Sequence, residues 1–341
     1  MKKTLSFILG ILLAVGLLSA SAGSALADSA PETQKLHIVT TIFPVYDWVM
    51  HVLGDQADSA EVTMLLDSGV DLHSYQPTVE DIVKIAGCDL FIYVGGESDE
   101  WVDDALAEAT NKDMVVMDLL EVLGDKVKEE EIVEGMEAEH DHDHDHEEGH
   151  DHAEDHDHEE GEAEFDEHIW LSLKHAGTLS GAIADTLVQL DPANADSYRA
   201  NAAAYADKLN TLDAQYRAAV DAAPVKTLLF GDRFPFRYLM DDYGLDYYAA
   251  FTGCSAETEA SFQTIIFLAN KLDELGLPAV LQIESADGSI ARTIVENTKS
   301  RSQQILTLDS MQSVTAKNVA AGTSYLAVME KNLDVLKAAL G

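Results

Sequence analysis

The strongest constraint on the fold is a long segment that contains neither proline nor glycine. None occurs after Pro192 until beyond Val220. A helix over this stretch would span on the order of 40 Å at about 1.5 Å per residue. Apolar and aromatic side chains recur in it at three- or four-residue spacing, as on one helix face: Tyr198, Ala202, Tyr205, Leu209, Leu212 and Tyr216. The pattern predicts one long, stiff helix. A separate helix at 176–190 precedes it, and Asp191 and Pro192 mark the start of the long one.

On both sides of this segment, short apolar runs alternate with helical patterns, which is typical of α/β units. In the first half, strand patterns lie at 36–41, 61–66, 89–94 and 114–118, with helices near 44–53, 78–86 and 99–109. In the second half, they lie at 226–230, 246–251, 279–283 and 304–308, with helices near 259–275, 289–298 and 316–340. We therefore predict an α/β fold of two similar lobes, each a mainly parallel sheet flanked by helices, joined by one long rigid helix.

The first 27 residues have the pattern of a signal peptide. Lys2 and Lys3 precede an apolar run at 5–18, and Ala25-Leu26-Ala27 fits a cleavage site. No later stretch has the length and apolarity of a membrane span, and no cysteine near the cut offers a lipid anchor. We expect an exported protein on the periplasmic or another extracytoplasmic face of the membrane.

The charge balance narrows the choice of partner. The formal net charge is -41 at pH 7, which disfavours nucleic acid and anionic membranes and favours cations. Solubility alone would explain part of this charge. We expect a monomer that binds a metal ion and not a nucleic acid.

The two cysteines, Cys88 and Cys254, lie far apart along the chain. In an oxidising compartment they could pair, or they could remain as buried free thiols. Neither belongs to a C-x-x-C motif. We therefore do not expect a thiolate metal site or a redox function.

An acidic, histidine-rich insert occupies 129–164 and divides the first lobe, 28–128, from a helical linker at 165–221 and the second lobe at 222–341. It consists almost entirely of Glu, Asp, His, Gly and Ala, so it cannot bury a core, and we expect it to be disordered. Imidazole is a preferred ligand of zinc, copper and nickel. The insert is predicted to be a weakly selective metal-collecting loop, the alternative being a solvated spacer. Its histidines are His140, His142, His144, His146, His150, His152, His156 and His158.

Two further histidines stand on predicted connections between ordered elements. His73 lies in Asp71-Leu72-His73-Ser74-Tyr75-Gln76-Pro77-Thr78, between a strand and a helix. His168 lies in Asp166-Glu167-His168-Ile169-Trp170-Leu171, between the insert and a helix. A lone histidine in either place is more often structural. Two of them in a chain with a histidine tract favour a metal site between the lobes.

These motifs resemble those of the metal-binding receptors of zinc and manganese ABC importers, and the resemblance covers nearly the whole chain after the signal peptide. The segment from His73 to Thr78 is similar to that family's first ligand motif, and the segment from Asp166 to Leu171 to its second. The tract before the second motif resembles the high-affinity zinc uptake branch. The resemblance implies a receptor that is not an enzyme, binds Zn²⁺ or Mn²⁺ between two lobes and delivers it to a membrane permease.

The chain departs from that family at the third ligand, where the simplest register places Arg233. Arginine stays protonated and cannot coordinate a cation. Asp232 could substitute, a water could complete the site, or Arg233 could neutralise a carboxylate or be structural. For the fourth ligand we predict Asp287, with Glu284 as the second choice. Asp287 could equally serve only to cap the following helix.

Two other functions use the same chemistry. An extracytoplasmic metal buffer or chaperone without a transporter would need the same ligands. A zinc hydrolase would need an open coordination position and a general base, a role that Glu167 or Glu284 could fill. No H-E-x-x-H motif occurs, which disfavours the hydrolase.

Overall fold

The computed structural model describes residues 35–137, 164–255 and 259–341. The predicted signal peptide at 1–27 lies outside these ranges, as do the eight histidines of the predicted collecting loop. Within the described ranges, no helix has both the length and the apolarity needed to cross a membrane.

The first lobe is a parallel four-stranded sheet with the strand order β2-β1-β3-β4. Its strands are β1 (Leu36–Thr40), β2 (Ala60–Met64), β3 (Leu90–Tyr93) and β4 (Val115–Asp118). The connecting helices are α1 (Phe43–Leu53), α2 (Val79–Gly87), α3 (Trp101–Ala107) and α4 (Leu119–Leu123). Parallel strands covered by helices on both faces read as continuous apolar runs. Accordingly, Leu90, Phe91 and Ile92 of β3 are fully buried.

Two helices link the lobes: α5 (Leu173–Leu190) and α6 (Ala195–Ala222). The second lobe then repeats the topology of the first, with the order β6-β5-β7-β8, again all parallel. Its strands are β5 (Thr227–Arg233), β6 (Asp246–Phe251), β7 (Ala279–Gln282) and β8 (Gln304–Thr307). Its helices are α7 (Arg237–Tyr243), α8 (Phe262–Leu275), α9 (Ser289–Glu296), α10 (Ala316–Ala320) and α11 (Tyr325–Leu340). The prediction of two similar α/β lobes is confirmed.

The predicted long helix is α6, which has 28 residues. All six side chains of its predicted stripe are buried. On the first lobe, Asn201 donates from Nδ2 to the Val52 carbonyl (3.0 Å). On the second, the Tyr216 hydroxyl donates to the Met329 carbonyl of α11 (2.6 Å). The helix is therefore bonded to both lobes. It begins at Ala195, after a 3-10 turn at Pro192–Asn194.

Two predicted boundaries are wrong. The segment 316–340 forms two helices and not one, because Gly322 adopts a φ of 93° and Ser324 caps the start of α11. The start of the predicted insert is also wrong, because 129–137 belongs to the fold. Glu130 donates its backbone N–H to the Glu164 carbonyl (2.8 Å), and Glu137 donates to the Ala250 carbonyl of β6 (2.9 Å). This segment, which we call the strap (residues 129–137), crosses from the linker to the second sheet.

Candidate metal centre

The carboxyl ends of parallel strands form the edge where open α/β sheets place their binding sites. His73 lies beyond the carboxyl end of β2, in a 3-10 turn at Leu72–Ser74. Asp71 precedes this turn, and its Oδ1 accepts the backbone N–H of His73 (3.1 Å). The side chain of His73 is 10% exposed, so it keeps an opening to the solvent.

His168 is fully buried and lies just before a 3-10 turn at Ile169–Leu171. Asp166 Oδ1 faces both the backbone N–H and the Nδ1 of His168, each at 2.9 Å. A carboxylate only accepts hydrogen bonds, so Nδ1 carries the proton and Nε2 presents a lone pair. The indole N–H of Trp170 donates to the Ser310 carbonyl (2.8 Å) and ties this turn to the second lobe.

The two imidazoles meet through their Nε2 atoms, which are 3.1 Å apart. Two nitrogens bound to one tetrahedral zinc ion at about 2.0–2.1 Å would lie roughly 3.3 Å apart. The observed separation is close to this value. Two lone pairs at such a distance repel each other unless a proton or a cation lies between them, so the pair can hold either one.

His73 is held from behind by residues of the β3–α3 connection and of the second motif. Its Nδ1 lies 2.7 Å from Ser98 Oγ and 3.6 Å from Glu167 Oε2. Glu167 Oε1 accepts the backbone N–H of Ser98 (2.8 Å). Gly96, with a φ of 85°, is required here, because a Cβ at that position would lie 2.5 Å from Glu167 Oε1. The second motif thus positions both imidazoles.

Burial, and then electrostatic repulsion between the His73 and His168 rings if both were protonated, lower the pKa of His73 to about 3. Burial also raises the pKa of Glu167. His73 is therefore neutral at physiological pH, the form in which imidazole binds metal ions.

A third potential ligand is Cys254, which the sequence analysis did not expect. One ligand atom each from His73, His168 and Cys254 lie within 4.8 Å of one another. Cys254 follows β6, so its position after a predicted strand was a signal that a search for C-x-x-C spacing missed. Both cysteines are free thiols. Burial, followed by the charges of Glu130 and Glu167, raises the pKa of the Cys254 thiol.

The structure does not bring Asp232 or Asp287 into this group. Both carboxylate oxygens of Asp232 accept hydrogen bonds from backbone N–H groups: Oδ1 from Arg233 (2.8 Å) and Oδ2 from Ile283 (3.0 Å). Asp287 is exposed and accepts the N–H of Ser289 (2.7 Å), the capping role left open above. Their coordination of an ion therefore stays a prediction, and in this structure both carboxylates accept backbone N–H groups.

Glu284, the second choice for that position, is also engaged elsewhere. It accepts the backbone N–H groups of Ser310 (2.7 Å) and Gln312 (3.2 Å). These bonds fix the loop after β8, which places Gln312 Nε2 3.5 Å from His73 Nε2.

Arg233 neutralises a carboxylate of the first lobe. Its Nη2 lies 2.6 Å from Asp71 Oδ2, which is one of the roles considered above. Burial alone would raise the pKa of Asp71, but the Arg233 guanidinium holds it below its usual value. Since Asp71 supports the His73 turn, this ion pair joins the second lobe to the first beside the imidazoles.

Comparison with known proteins agrees with this geometry. Residues 38–339 match the family described as zinc-uptake complex component A, periplasmic. The chain belongs to this family. The zinc-uptake component A family consists of zinc-binding receptors of uptake systems and not of enzymes.

Among relatives in the zinc-uptake component A family, the zinc-binding protein AdcA of Streptococcus pyogenes serotype M3 is 31% identical over 307 residues, 89% of this chain. This chain spans only 56% of the length of that relative. The high-affinity zinc uptake system protein ZnuA of Bacillus subtilis is 28% identical over 332 residues, covering 97% of this chain and 96% of the relative.

Solved structures share the fold. The Zn(II)-bound ZnuA-like domain of Streptococcus pneumoniae AdcA superposes with a TM-score of 0.67 at 28% identity, covering 90% of this chain and 99% of that domain. A metal-dependent lipoprotein of Bacillus subtilis, YcdH, has a TM-score of 0.69 at 26% identity, with 90% and 99% coverage.

Proposed function

We propose that this protein is the extracytoplasmic receptor of a zinc importer, which captures Zn²⁺ with His73 and His168 and delivers it to an ABC transporter permease. The observation that carries the proposal is the 3.1 Å approach of the two Nε2 atoms. Membership of the zinc-uptake component A family supports the choice of zinc as the cargo and of a permease as the partner.

The ligand chemistry favours zinc over Mn²⁺, the alternative cargo. Both nitrogens are imidazole donors, which suit zinc, whereas manganese is better served by carboxylates and water. The two aspartates predicted as hard oxygen ligands, Asp232 and Asp287, point to backbone donors instead.

The fold favours capture with little domain movement. The helix α6 is bonded to both lobes, and the Arg233–Asp71 pair bridges them beside the site. Wide hinge closure would break these contacts, so loading involves small tilts and reordering of loops. Release then requires the permease to disturb the ligand geometry, or protonation of the imidazoles.

The proposal is tested with the purified chain and in cells. Protein prepared without chelators should contain one tightly held zinc per chain, and excess Mn²⁺ should not displace it. Cells that lack the gene should accumulate zinc more slowly at low external zinc, and the wild-type gene should restore the rate. Tight zinc binding with an unchanged uptake rate would instead identify a metal buffer without a transporter.

Deleting residues 138–163, which contain the whole histidine tract, should remove weak additional zinc binding and leave the tight site intact. The boundary matters, because the strap holds the β6 loop through Glu130 and Glu137. Calorimetry with excess zinc measures both classes of site. Loss of the tight class on deletion would show that the tract itself supplies the principal ligands.

A further inference from the structure

We infer that Cys254 is the third ligand of the zinc site, bound as a thiolate, and that it makes the site selective for zinc over manganese. This inference rests on the proposed function, since it assigns a ligand to the same ion. It follows from three independent features of the structure: the distances among the donor atoms, the anchoring of the Cys254 loop, and the position of Arg233.

The first feature is distance. One ligand atom each of His73, His168 and Cys254 lie within 4.8 Å of one another. Nitrogen and sulfur ligands of one tetrahedral zinc ion, at about 2.05 and 2.3 Å from the metal, lie roughly 3.6 Å apart. Shortening the longest separation by at most about 1.2 Å therefore brings all three atoms to one ion.

The second feature is a loop held in place against His168. The Cys254 backbone N–H donates to Glu130 Oε1 of the strap (3.1 Å). At Gly253, a Cβ would lie 2.9 Å from His168 Cε1 and 3.0 Å from the Phe234 carbonyl. A glycine is thus needed for the loop to pack this closely on the imidazole, which places the next residue beside the metal position.

The third feature is the position of Arg233 beside the Cys254 loop. Arg233 directs Nη2 to Asp71 Oδ2 (2.6 Å) and leaves coordination to another residue. Its Nη1 donates to the Ser255 carbonyl (3.5 Å), directly after Cys254. Arg233 therefore anchors the loop after β6 that carries the thiol.

Binding would form a Zn–S bond and break the S–H bond, and the released proton would pass to the solvent. Two neutral imidazoles and one thiolate leave the fourth position of the ion for a water or another donor. Thiolate sulfur is a soft donor that suits zinc, whereas Mn²⁺ prefers oxygen. The thiolate would accordingly set the preference for zinc.

The test compares Cys254→Ser with Cys88→Ala. The chain has two cysteines, so the Cys88→Ala control leaves Cys254 as its sole thiol. With Co²⁺ as a probe, the wild type and Cys88→Ala should show a sulfur-to-cobalt charge-transfer band, and Cys254→Ser should not. In Cys88→Ala, zinc should protect the thiol from alkylation. Cys254→Ser should lower zinc affinity by more than about tenfold, because even outer partners of metal ligands contribute 10- to 100-fold.

A second variant, Cys254→Asp, replaces the soft donor with a hard one and should reduce the ratio of zinc to manganese affinity. Absence of the charge-transfer band in wild-type protein that binds zinc tightly, or alkylation of Cys88→Ala at the same rate with and without zinc, would overturn the thiolate assignment and leave the receptor function standing. Failure of the wild type to bind zinc tightly would instead defeat the proposed function.

Discussion

Replacing His168 with alanine should lower the affinity for the single tight zinc ion by at least about 100-fold, or about 2.8 kcal/mol. His168 is fully buried, and Asp166 fixes its Nε2 lone pair toward His73. His73→Ala should have an effect of the same size, because either substitution leaves one imidazole at the cation position. Isothermal titration with a competing chelator measures the affinity.

Two control variants test whether the loss of affinity is specific to the metal ligands. His37→Ala removes an exposed imidazole on β1, and Asp287→Ala removes an exposed carboxylate that accepts the N–H of Ser289. Both variants should bind zinc within about twofold of the wild type, since surface changes away from a site have small effects. If His73→Ala and His168→Ala retain the tight site, the assignment of the imidazoles as ligands is wrong.

Replacing Tyr216 with alanine should lower the free energy of unfolding by about 3–5 kcal/mol, the usual cost of truncating a large buried aromatic residue. Tyr216 is fully buried in α6 and stacks on Tyr243, with ring centroids 5.2 Å apart. Its hydroxyl also donates to the Met329 carbonyl of α11 (2.6 Å). Urea unfolding followed by circular dichroism measures the change.

Matched variants divide this effect into its parts. Tyr216→Phe retains the ring and should cost about 1 kcal/mol, the net value of one hydrogen bond. Gln215→Ala changes an exposed position on the same helix and should be nearly neutral. If Tyr216→Ala were no more destabilising than Gln215→Ala, the contact of α6 with the second lobe would not contribute to the free energy of unfolding.

Features that depend on local sequence pattern were predictable. Strands of a sheet that is buried on both faces appear as short apolar runs between helical patterns. The buried face of α6 follows from the three- or four-residue spacing of its apolar side chains. His73 and His168 could be singled out because each stands beside a recognisable motif on a connection. The structure brings their Nε2 atoms to 3.1 Å although 95 residues separate them along the chain.

Features that depend on contacts between distant parts of the chain could not be predicted from the sequence. The strap at 129–137 resembles the acidic insert in composition, but its order comes from hydrogen bonds to Glu164 and to Ala250 of β6. Asp232 and Asp287 follow predicted strands, and in the structure nearby backbone N–H groups donate to their carboxylates. Composition does not report which donors the folded chain presents.

The sequence by itself determined the two-lobed α/β architecture and the long linking helix, because both follow from the spacing of apolar residues along the chain, and it singled out His73 and His168 by their neighbouring residues. Only the tertiary structure decided that Arg233 pairs with Asp71 and that Cys254 lies with the imidazoles. Those contacts join segments that are far apart in the chain, so they form only when the chain folds.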